Sequence, residues 1–188
     1  MDAGANTVRL DPLVCDGRTI ALRPIRAADA DLLIDFHDRL SAHTQYLRFF
    51  GPKPRLTARE AQYLATTDFE SRFAIVACAQ EDSEERIVAV GRFDLAGPTA
   101  AEAAIVVRDD YQRKGVGTAI FERLIEIARG RGVAAMSGEI LAENDQMIGF
   151  LRSKNVSVGA PQAGICRVTT SLETDAVVWR SAQTGGSA

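Results

Sequence analysis

The stretch AEAAIVVRDDYQRKGVGTAIFERL, residues 101–124, decides the fold because it joins a strand to a long helix through a polar turn. The apolar run before Arg108 predicts a β-strand that ends at about Val107. From Gly115 onward, apolar residues recur at helical spacing, at Val116, Ala119, Ile120, Leu124, Ile127 and Ala128. A single apolar stripe of this kind predicts an amphipathic helix.

The turn between this strand and this helix has the features of a phosphate-binding site. The first N–H groups of a helix have no intrahelical acceptor, and the helix dipole adds partial positive charge there. Gly115 and Gly117 let the main chain approach an anion without an intervening Cβ, and Arg113 and Lys114 add positive charge. The sequence therefore predicts a phosphate cradle at this helix start.

Two common nucleotide-binding motifs do not fit the turn. The P-loop spacing G-x-x-x-x-G-K-[ST] is absent from the chain. A dinucleotide fingerprint G-x-G-x-x-G/A that starts at Gly115 has Ile120 in its third glycine position. A glycine-rich helix start without any ligand is the remaining alternative at this point.

The sequence before this stretch alternates strand and helix signals. Residues 13–24 predict a hairpin that turns at Asp16-Gly17. Residues 27–40 predict a helix, Ser41 starts a second short helix, and the capping box at 57–60 opens a third.

Further strand and helix signals complete an α+β pattern around the deciding stretch. Residues 72–79 and 86–95 predict an antiparallel hairpin. After the long helix come a strand, a helix and two closing strands, predicted at 134–141, 144–154, 166–172 and 176–179. We expect one domain over 10–182, with a mixed and mostly antiparallel sheet, and mobile tails at 1–9 and 183–188.

Composition excludes several classes of protein. The chain has 188 residues, of which 46% are hydrophobic and 25% charged, and its net charge of −3 argues against sequence-independent binding of nucleic acid. No apolar run is long enough to span a membrane, so we expect a cytoplasmic protein. Cys15, Cys78 and Cys166 are scattered, and His37 and His43 lack partners at ligand spacing, so we expect neither disulfides nor a metal site.

Val107 and the spacing Gln112-x-x-Gly115-x-Gly117, followed by an amphipathic helix, resemble the coenzyme A motif of the GNAT superfamily of N-acetyltransferases. The order of elements over 17–180 is also similar to that of the family. More narrowly, ALRPIRAADADLL, RLSAHTQYLRFF, TDFESRFAIVA and VVRDDYQRKGVG resemble the acetyltransferase domain of bacterial protein lysine acetyltransferases of the Pat type. The resemblance implies a three-layer GNAT fold, with helices on both faces of the sheet, and acetyl-CoA as co-substrate.

In such a fold the pantetheine arm of coenzyme A lies between two splayed strands, which would here be 103–107 and 134–141. The resemblance implies that the first strand pairs with the arm and that the amides of 113–118 hold the diphosphate. The implied cofactor-binding residues are Ile105, Val106, Val107, Gln112, Arg113, Lys114, Gly115, Val116, Gly117, Thr118 and Asn144. A helix cap is an equally good interpretation of Asn144, and the two roles are compatible.

Glu102 is the predicted general base. A lysine amine has a pKa of about 10.4, so it must lose a proton before it attacks the thioester. Glu102 precedes Val107 by about 17 Å of strand, which is close to the reach of an extended pantetheine arm. Pat-type enzymes have their catalytic glutamate in the pattern A-E-x₈-Y-Q, which matches Ala101-Glu102 to Tyr111-Gln112. An exposed glutamate without a catalytic role is the alternative.

The helix after Asn144 departs from the family pattern. Many GNAT enzymes have a tyrosine there that protonates the departing thiolate, and the matching residue is Leu151. Tyr46 and Tyr111 are weaker candidates for this acid. The usual glycine after the helix is Asn155, which tolerates a left-handed conformation.

These observations predict an acetyl-CoA-dependent N-acetyltransferase that acts on a protein lysine, such as one on an acyl-CoA synthetase. A small-molecule amine is the rival acceptor, since residues 41–70 give no decisive chemistry on the acceptor side. Because Leu151 replaces the tyrosine, a non-catalytic module that binds acyl-CoA is the second alternative. No nucleic-acid or membrane partner is expected, and a homodimer is left open.

Overall fold

The computed structural model describes residues 11–173. Its strands are β1 (Leu13–Cys15), β2 (Arg18–Pro24), β3 (Arg72–Glu81), β4 (Glu84–Leu95), β5 (Ala100–Val107), β6 (Ala135–Leu141), β7 (Ser157–Val158) and β8 (Ile165–Ser171). Its α-helices are α1 (Ala30–Asp38), α2 (Ala42–Phe49), α3 (Ala58–Ala65), α4 (Val116–Gly130) and α5 (Asp145–Ser153). The predicted tails and the closing strand at 176–179 lie outside the described residues.

The eight strands form one sheet in the order β1-β2-β3-β4-β5-β6-β8-β7. Every neighbouring pair is antiparallel except β5 and β6, which are parallel. The parallel pair is joined through the long helix α4, as expected for a strand–helix–strand connection. The predicted mixed, mostly antiparallel α+β architecture is confirmed.

Helices cover both faces of the sheet. Phe73, Ile75 and Phe93 point toward α4 and pack on its apolar stripe. The alternate residues of the same strands, including Val76 and Val90, point to the opposite face and pack on α1 and α3. Because side chains alternate along a strand, this division fixes the face that each residue of β3, β4 and β5 occupies.

The turns and caps follow the local sequence. Asp16 and Gly17 have φ values of 49° and 74°, which is the left-handed pair that a two-residue hairpin turn requires. The Ser41 hydroxyl accepts a hydrogen bond from the Thr44 amide at the start of α2, and Thr57 forms the predicted capping box at the start of α3. These predictions are confirmed.

A β-bulge connects the fold to the turn after β5. Ala77 pairs with Ala89, but Cys78 pairs with Ile87, so Val88 is the extra residue of β4. The Val88 carbonyl accepts a hydrogen bond of 2.9 Å from the Arg108 amide. The bulge therefore fixes the end of β5, where the candidate site begins.

No helix among residues 11–173 is long and apolar enough to cross a bilayer. Cys15, Cys78 and Cys166 are buried and unpaired within this range. Burial raises the pKa of the Cys78 thiol to about 12, which makes it unreactive near neutral pH.

Candidate active site

The site begins at a fork between β5 and β6. The two strands pair only over Ala100–Glu102 and Ala135–Ser137, and beyond this point β6 pairs with β8 alone. A Cβ on Gly138 would lie 2.9 Å from the Ala103 carbonyl oxygen, so glycine is required at the vertex of the fork. The gap that opens beyond Gly138 is the splay that the sequence predicts.

Alternate residues of β5 present their main chain to this gap. In an antiparallel pair, every second residue directs its main-chain N–H and C=O groups toward the neighbouring strand. The register with β4 shows that Glu102, Ala104 and Val106 direct theirs toward β4. The main-chain groups of Ile105 and Val107 therefore face the fork. The Val107 carbonyl already accepts a hydrogen bond from the Gln112 side chain, at 3.0 Å. Of the three residues predicted to pair with a pantetheine arm, Val106 contributes its side chain to the cleft but not its main chain.

The predicted phosphate cradle lies at the wide end of the fork. The six successive amides of 113–118 make no hydrogen bond to any residue that the structure describes. Arg113 and Gly115 have φ values of 57° and 87°, so the turn is held in a left-handed conformation that orients these amides. A row of unpaired N–H groups at the N-terminus of α4 is an anion-binding arrangement.

The side chains of the turn are divided between the cleft and the protein. Arg113 and Thr118 line the cleft. Lys114 instead forms an ion pair with Asp16 at 2.5 Å, and this hydrogen bond raises the pKa of Lys114. Val116 is fully buried. Of the predicted cofactor-binding residues, Lys114 and Val116 can therefore offer only their main-chain amides to a ligand in this conformation.

A buried ionic cluster supports the turn from behind. Arg108 is buried and donates to both Glu81 and Asp110. The Tyr111 hydroxyl donates to Glu81 at 2.8 Å and accepts from Arg18. The Arg108 guanidinium holds the pKa values of Glu81 and Asp110 below their usual range. Tyr111 is thus engaged away from the cleft, which makes it unsuitable as an acid for the thiolate.

Asp109 ties the turn to helix α2. Its carboxylate accepts hydrogen bonds from the Ser41 amide at 2.9 Å, the Ser41 hydroxyl at 2.6 Å and the Thr44 hydroxyl at 2.7 Å. Burial would raise the pKa of Asp109, but these hydrogen bonds outweigh it and hold the pKa below its usual range. The negative charge also lies at the positive end of the α2 dipole.

Helix α2 lies along one side of a cleft of about 730 Å³ that runs through the fork. The cleft is lined on this side by His43, Thr44, Leu47, Arg48 and Phe50. The sequence predicts no cofactor or acceptor role for these residues individually, because the place of α2 depends on contacts between residues distant in sequence, such as those of Asp109 with Ser41 and Thr44. Close to α2, Glu143 of the β6–α5 loop raises the pKa of the Tyr46 phenol.

Glu102 lies at the narrow end of the cleft, at the last paired position of the fork. It is exposed, it lines the cleft, and it points to the same face of the sheet as α2. Its neighbours across the strands are Asp94 on β4 and Ser137 on β6. A carboxylate in this place is accessible to a molecule that arrives from solvent.

The residues around α5 complete the wall opposite α2. The Asn144 side-chain oxygen accepts a hydrogen bond of 3.1 Å from the Met147 amide, so its predicted capping role is confirmed. Its amide nitrogen makes no hydrogen bond within residues 11–173, and Asn144 lines the cleft.

Leu151 is buried against Ile140 and Val156, so this position supplies no acid. Asn155 has a φ of 59°, the left-handed conformation expected there.

A row of free main-chain amides at one end of a split sheet is the arrangement expected in a protein that binds the diphosphate of coenzyme A, as the resemblance of the sequence implies. The model of the acetyltransferase (GNAT) family matches residues 39–154. The chain therefore belongs to the GNAT acetyltransferase family, and acetyl-CoA is its co-substrate.

Individual relatives agree with this assignment. An acetyltransferase of Pseudomonas aeruginosa is 32% identical over 133 residues, which cover 70% of this chain and 72% of the relative. The acetyltransferase Pat of Mycolicibacterium smegmatis is 30% identical over 133 residues, which cover 70% of this chain but only 39% of Pat. The crystal structure of the GNAT domain of S. lividans PAT superposes with a TM-score of 0.77 at 29% identity, covering 86% of this chain and 96% of that one.

Metal chemistry has no candidate ligands in the part of the chain that the structure describes. Within residues 11–173, no three His, Cys, Asp or Glu side chains come together in a metal-binding group. Helix α1 buries His37 against Phe49, and His43 lines the cleft on α2.

Proposed function

We propose that the chain transfers the acetyl group of acetyl-CoA to a protein lysine by direct attack, with Glu102 as the general base. The observation that supports this proposal is the position of Glu102 at the narrow end of the fork, opposite the free amides of 113–118. A cofactor whose diphosphate occupies the cradle and whose arm follows β5 has its thioester beside Glu102.

The chemistry requires one proton transfer to the protein. Glu102 accepts a proton from the acceptor ammonium, directly or through water, and the freed amine attacks the thioester carbon. A carbon–nitrogen bond forms, the nitrogen loses its second proton to solvent, the carbon–sulfur bond breaks, and the thiolate leaves. Because Leu151 offers no acid, solvent protonates the thiolate, which is a fair leaving group since a thiol has a pKa of about 8.5.

A second surface groove favours a protein acceptor over a small amine. A groove between the end of α2 and helix α3 is lined by Phe49, Pro52, Leu56, Tyr63 and Leu64, among others. Tyr63 is 61% exposed and Phe50 is 39% exposed, and exposed aromatic residues are frequent in protein interfaces. The 30% identity with Pat supports a protein acceptor as well. An acyl-CoA synthetase is the acceptor to test first. The cytoplasmic location stays a prediction, and a homodimer is left open.

The proposed role of Glu102 is tested by thiol release from acetyl-CoA with a purified acyl-CoA synthetase as acceptor. We expect Glu102→Gln to lower kcat about 100-fold or more, with the KM for acetyl-CoA unchanged. Glu126→Gln, on the exposed face of α4, is the matched control and should behave as wild type.

Each other outcome has a definite meaning. Equal rates for wild type and Glu102→Gln would remove Glu102 from the role of base. Turnover of small amines without any protein acetylation would make a small-molecule amine the acceptor. Tight binding of acetyl-CoA without thiol release against a broad amine panel would favour a non-catalytic acyl-CoA module.

A further inference from the structure

Arg48 is a cationic side chain of the cleft without an anionic partner. It lies near the end of α2, it is half-buried, and it lines the cleft. Among residues 11–173 it makes no hydrogen bond and no ion pair within 4.0 Å. Its guanidinium lies 5.3 Å from the centre of the Phe49 ring, in a cation–π contact. A half-buried guanidinium in this condition is unusual, since buried charges are normally paired.

Arg48 lines the same cleft as Glu102. It lies one helical turn beyond Thr44, which is bound to Asp109 beside the cradle. Arg48 is therefore further along the wall of the cleft than the contact that joins α2 to the turn. Burial and the guanidinium of Arg92 lower the pKa of Arg48, while the carboxylate of Glu102 opposes them.

The face of the sheet on the α2 side carries two arginines and two carboxylates. Arg72, Asp94 and Glu102 form one row across β3, β4 and β5, on the face of the sheet that α2 covers. Asp94 lies 3.8 Å from Arg92 and 4.0 Å from Arg72, which are loose ion pairs. Buried nitrogens of both arginines and one Asp94 oxygen have no hydrogen-bond partner.

Arg48 is left without an anionic partner. Asp94 pairs loosely with Arg72 and Arg92, and no carboxylate lies within 4.0 Å of Arg48 among residues 11–173. Glu102 faces the acceptor amine in the proposed function and gains a proton there. An anion beside Arg48 would neutralise its charge, and the natural source of this anion is the molecule that brings the amine.

We propose that Arg48 binds a carboxylate that the acceptor carries near the backbone end of its lysine side chain, from an adjacent acidic residue in a protein segment or from the lysine itself. This inference rests on the proposed function, because it assumes that the amine meets Glu102. Arg48 is then a specificity-determining residue that recognises the acceptor without acting on the thioester.

Two conjugates test this assignment without any turnover. In one, the sulfur of coenzyme A is joined through a short linker to the ε-nitrogen of N-acetyl-lysine. In the other, N-acetylcadaverine replaces it, and only the carboxylate is missing. Calorimetry with wild type should give about tenfold tighter binding of the conjugate that carries the carboxylate, which is the effect of one charge-assisted contact.

The variants decide whether Arg48 is the source of that preference. Arg48→Gln should abolish the preference and leave the affinity for coenzyme A alone unchanged, whereas Arg48→Lys should restore part of it. Arg123→Gln is the control, because Arg123 forms ion pairs with Asp11 and Glu126 at the outer surface of α4. Equal affinity of the two conjugates for wild type, or a preference that persists in Arg48→Gln, would overturn the inference.

The test is independent of the identity of the acceptor. If the carboxylate preference is found but no protein is acetylated, the acceptor is a small amine of the amino-acid type and only the proposed function fails. If proteins are acetylated but the conjugates bind equally, only the role of Arg48 fails.

Discussion

In the proposed function, the two ends of the cleft recognise their ligands by different means. The cradle at 113–118 offers main-chain amides of one continuous turn, whereas the acceptor end combines side chains from different elements, Arg48 on α2 and Glu102 on β5. A main-chain site depends on backbone conformation and therefore on glycine spacing. A side-chain site depends on how distant elements pack, and so it can change its specificity while the cofactor stays the same.

The largest effect that separates the two ends is expected at the glycines of the cradle. Gly115→Val combined with Gly117→Val should weaken acetyl-CoA binding about 100-fold, because valine is strained at the left-handed φ of 87° and its side chain fills the anion site. Calorimetry measures the affinity, and Gly97→Ala in an exposed turn, with open space around its Cβ, is the control. Unchanged affinity would contradict the main-chain site.

A smaller effect is expected at Asp109, which connects the turn after β5 to helix α2. Asp109→Asn weakens the contacts that hold Ser41 and Thr44, so α2 is positioned less well over the cleft. We expect the KM for the acceptor to rise about tenfold and the affinity for acetyl-CoA to change much less. Asp110→Asn is the comparison, because the Asp110 carboxylate pairs with Arg108 and does not contact α2. Equal effects of both variants on the acceptor KM would argue against this connection.

The same contact should give a measurable pH dependence of stability. The pKa of Asp109 is lower in the folded protein than in the unfolded chain, so its stabilisation is complete above the unfolded value of about 3.9. It is lost as the pH falls through the folded value. Asp109→Asn should lower Tm by about 2–4 °C at pH 6, and the difference should disappear as the pH falls below the folded pKa of Asp109. A difference that is constant with pH would show that the charge of Asp109 is not involved.

The smallest effect distinguishes two neighbouring cations of the cradle. Arg113 lines the cleft, but Lys114 pairs with Asp16. Arg113→Ala should weaken acetyl-CoA binding about fivefold and Lys114→Ala less than twofold, as measured by calorimetry at low salt. The reverse order would mean that Lys114 leaves Asp16 when the cofactor binds.

The contrast between the ends also explains what the sequence could predict. The hairpin at Asp16-Gly17, the caps at Ser41 and Thr57 and the helix start at Gly115 are local features, and each follows from residues within one turn of chain. The order of strands and helices follows from hydrophobic periodicity. All of these were predicted correctly.

Other features depend on packing and were not predicted. Strand β7 has only two residues and exists because it pairs with β8. The direction of Lys114 depends on Asp16, which is about a hundred residues earlier in the chain. The place of Arg48 beside Glu102 depends on Asp109 and on the α2 packing, and no local pattern indicates it.

The short pairing of β5 and β6 has a consequence for the stability of the whole sheet. Only three residues of each strand join the half that contains β1–β5 to the half that contains β6, β8 and β7. In the proposed binding mode, acetyl-CoA would form hydrogen bonds to the main chain of Ile105 in place of the missing strand pairing, and it would then be a structural component as well as a reactant. Saturating ligand at 100 times its Kd would add about 2.7 kcal/mol to the unfolding free energy. Slower amide hydrogen exchange along the open edge of β5 would accompany this gain.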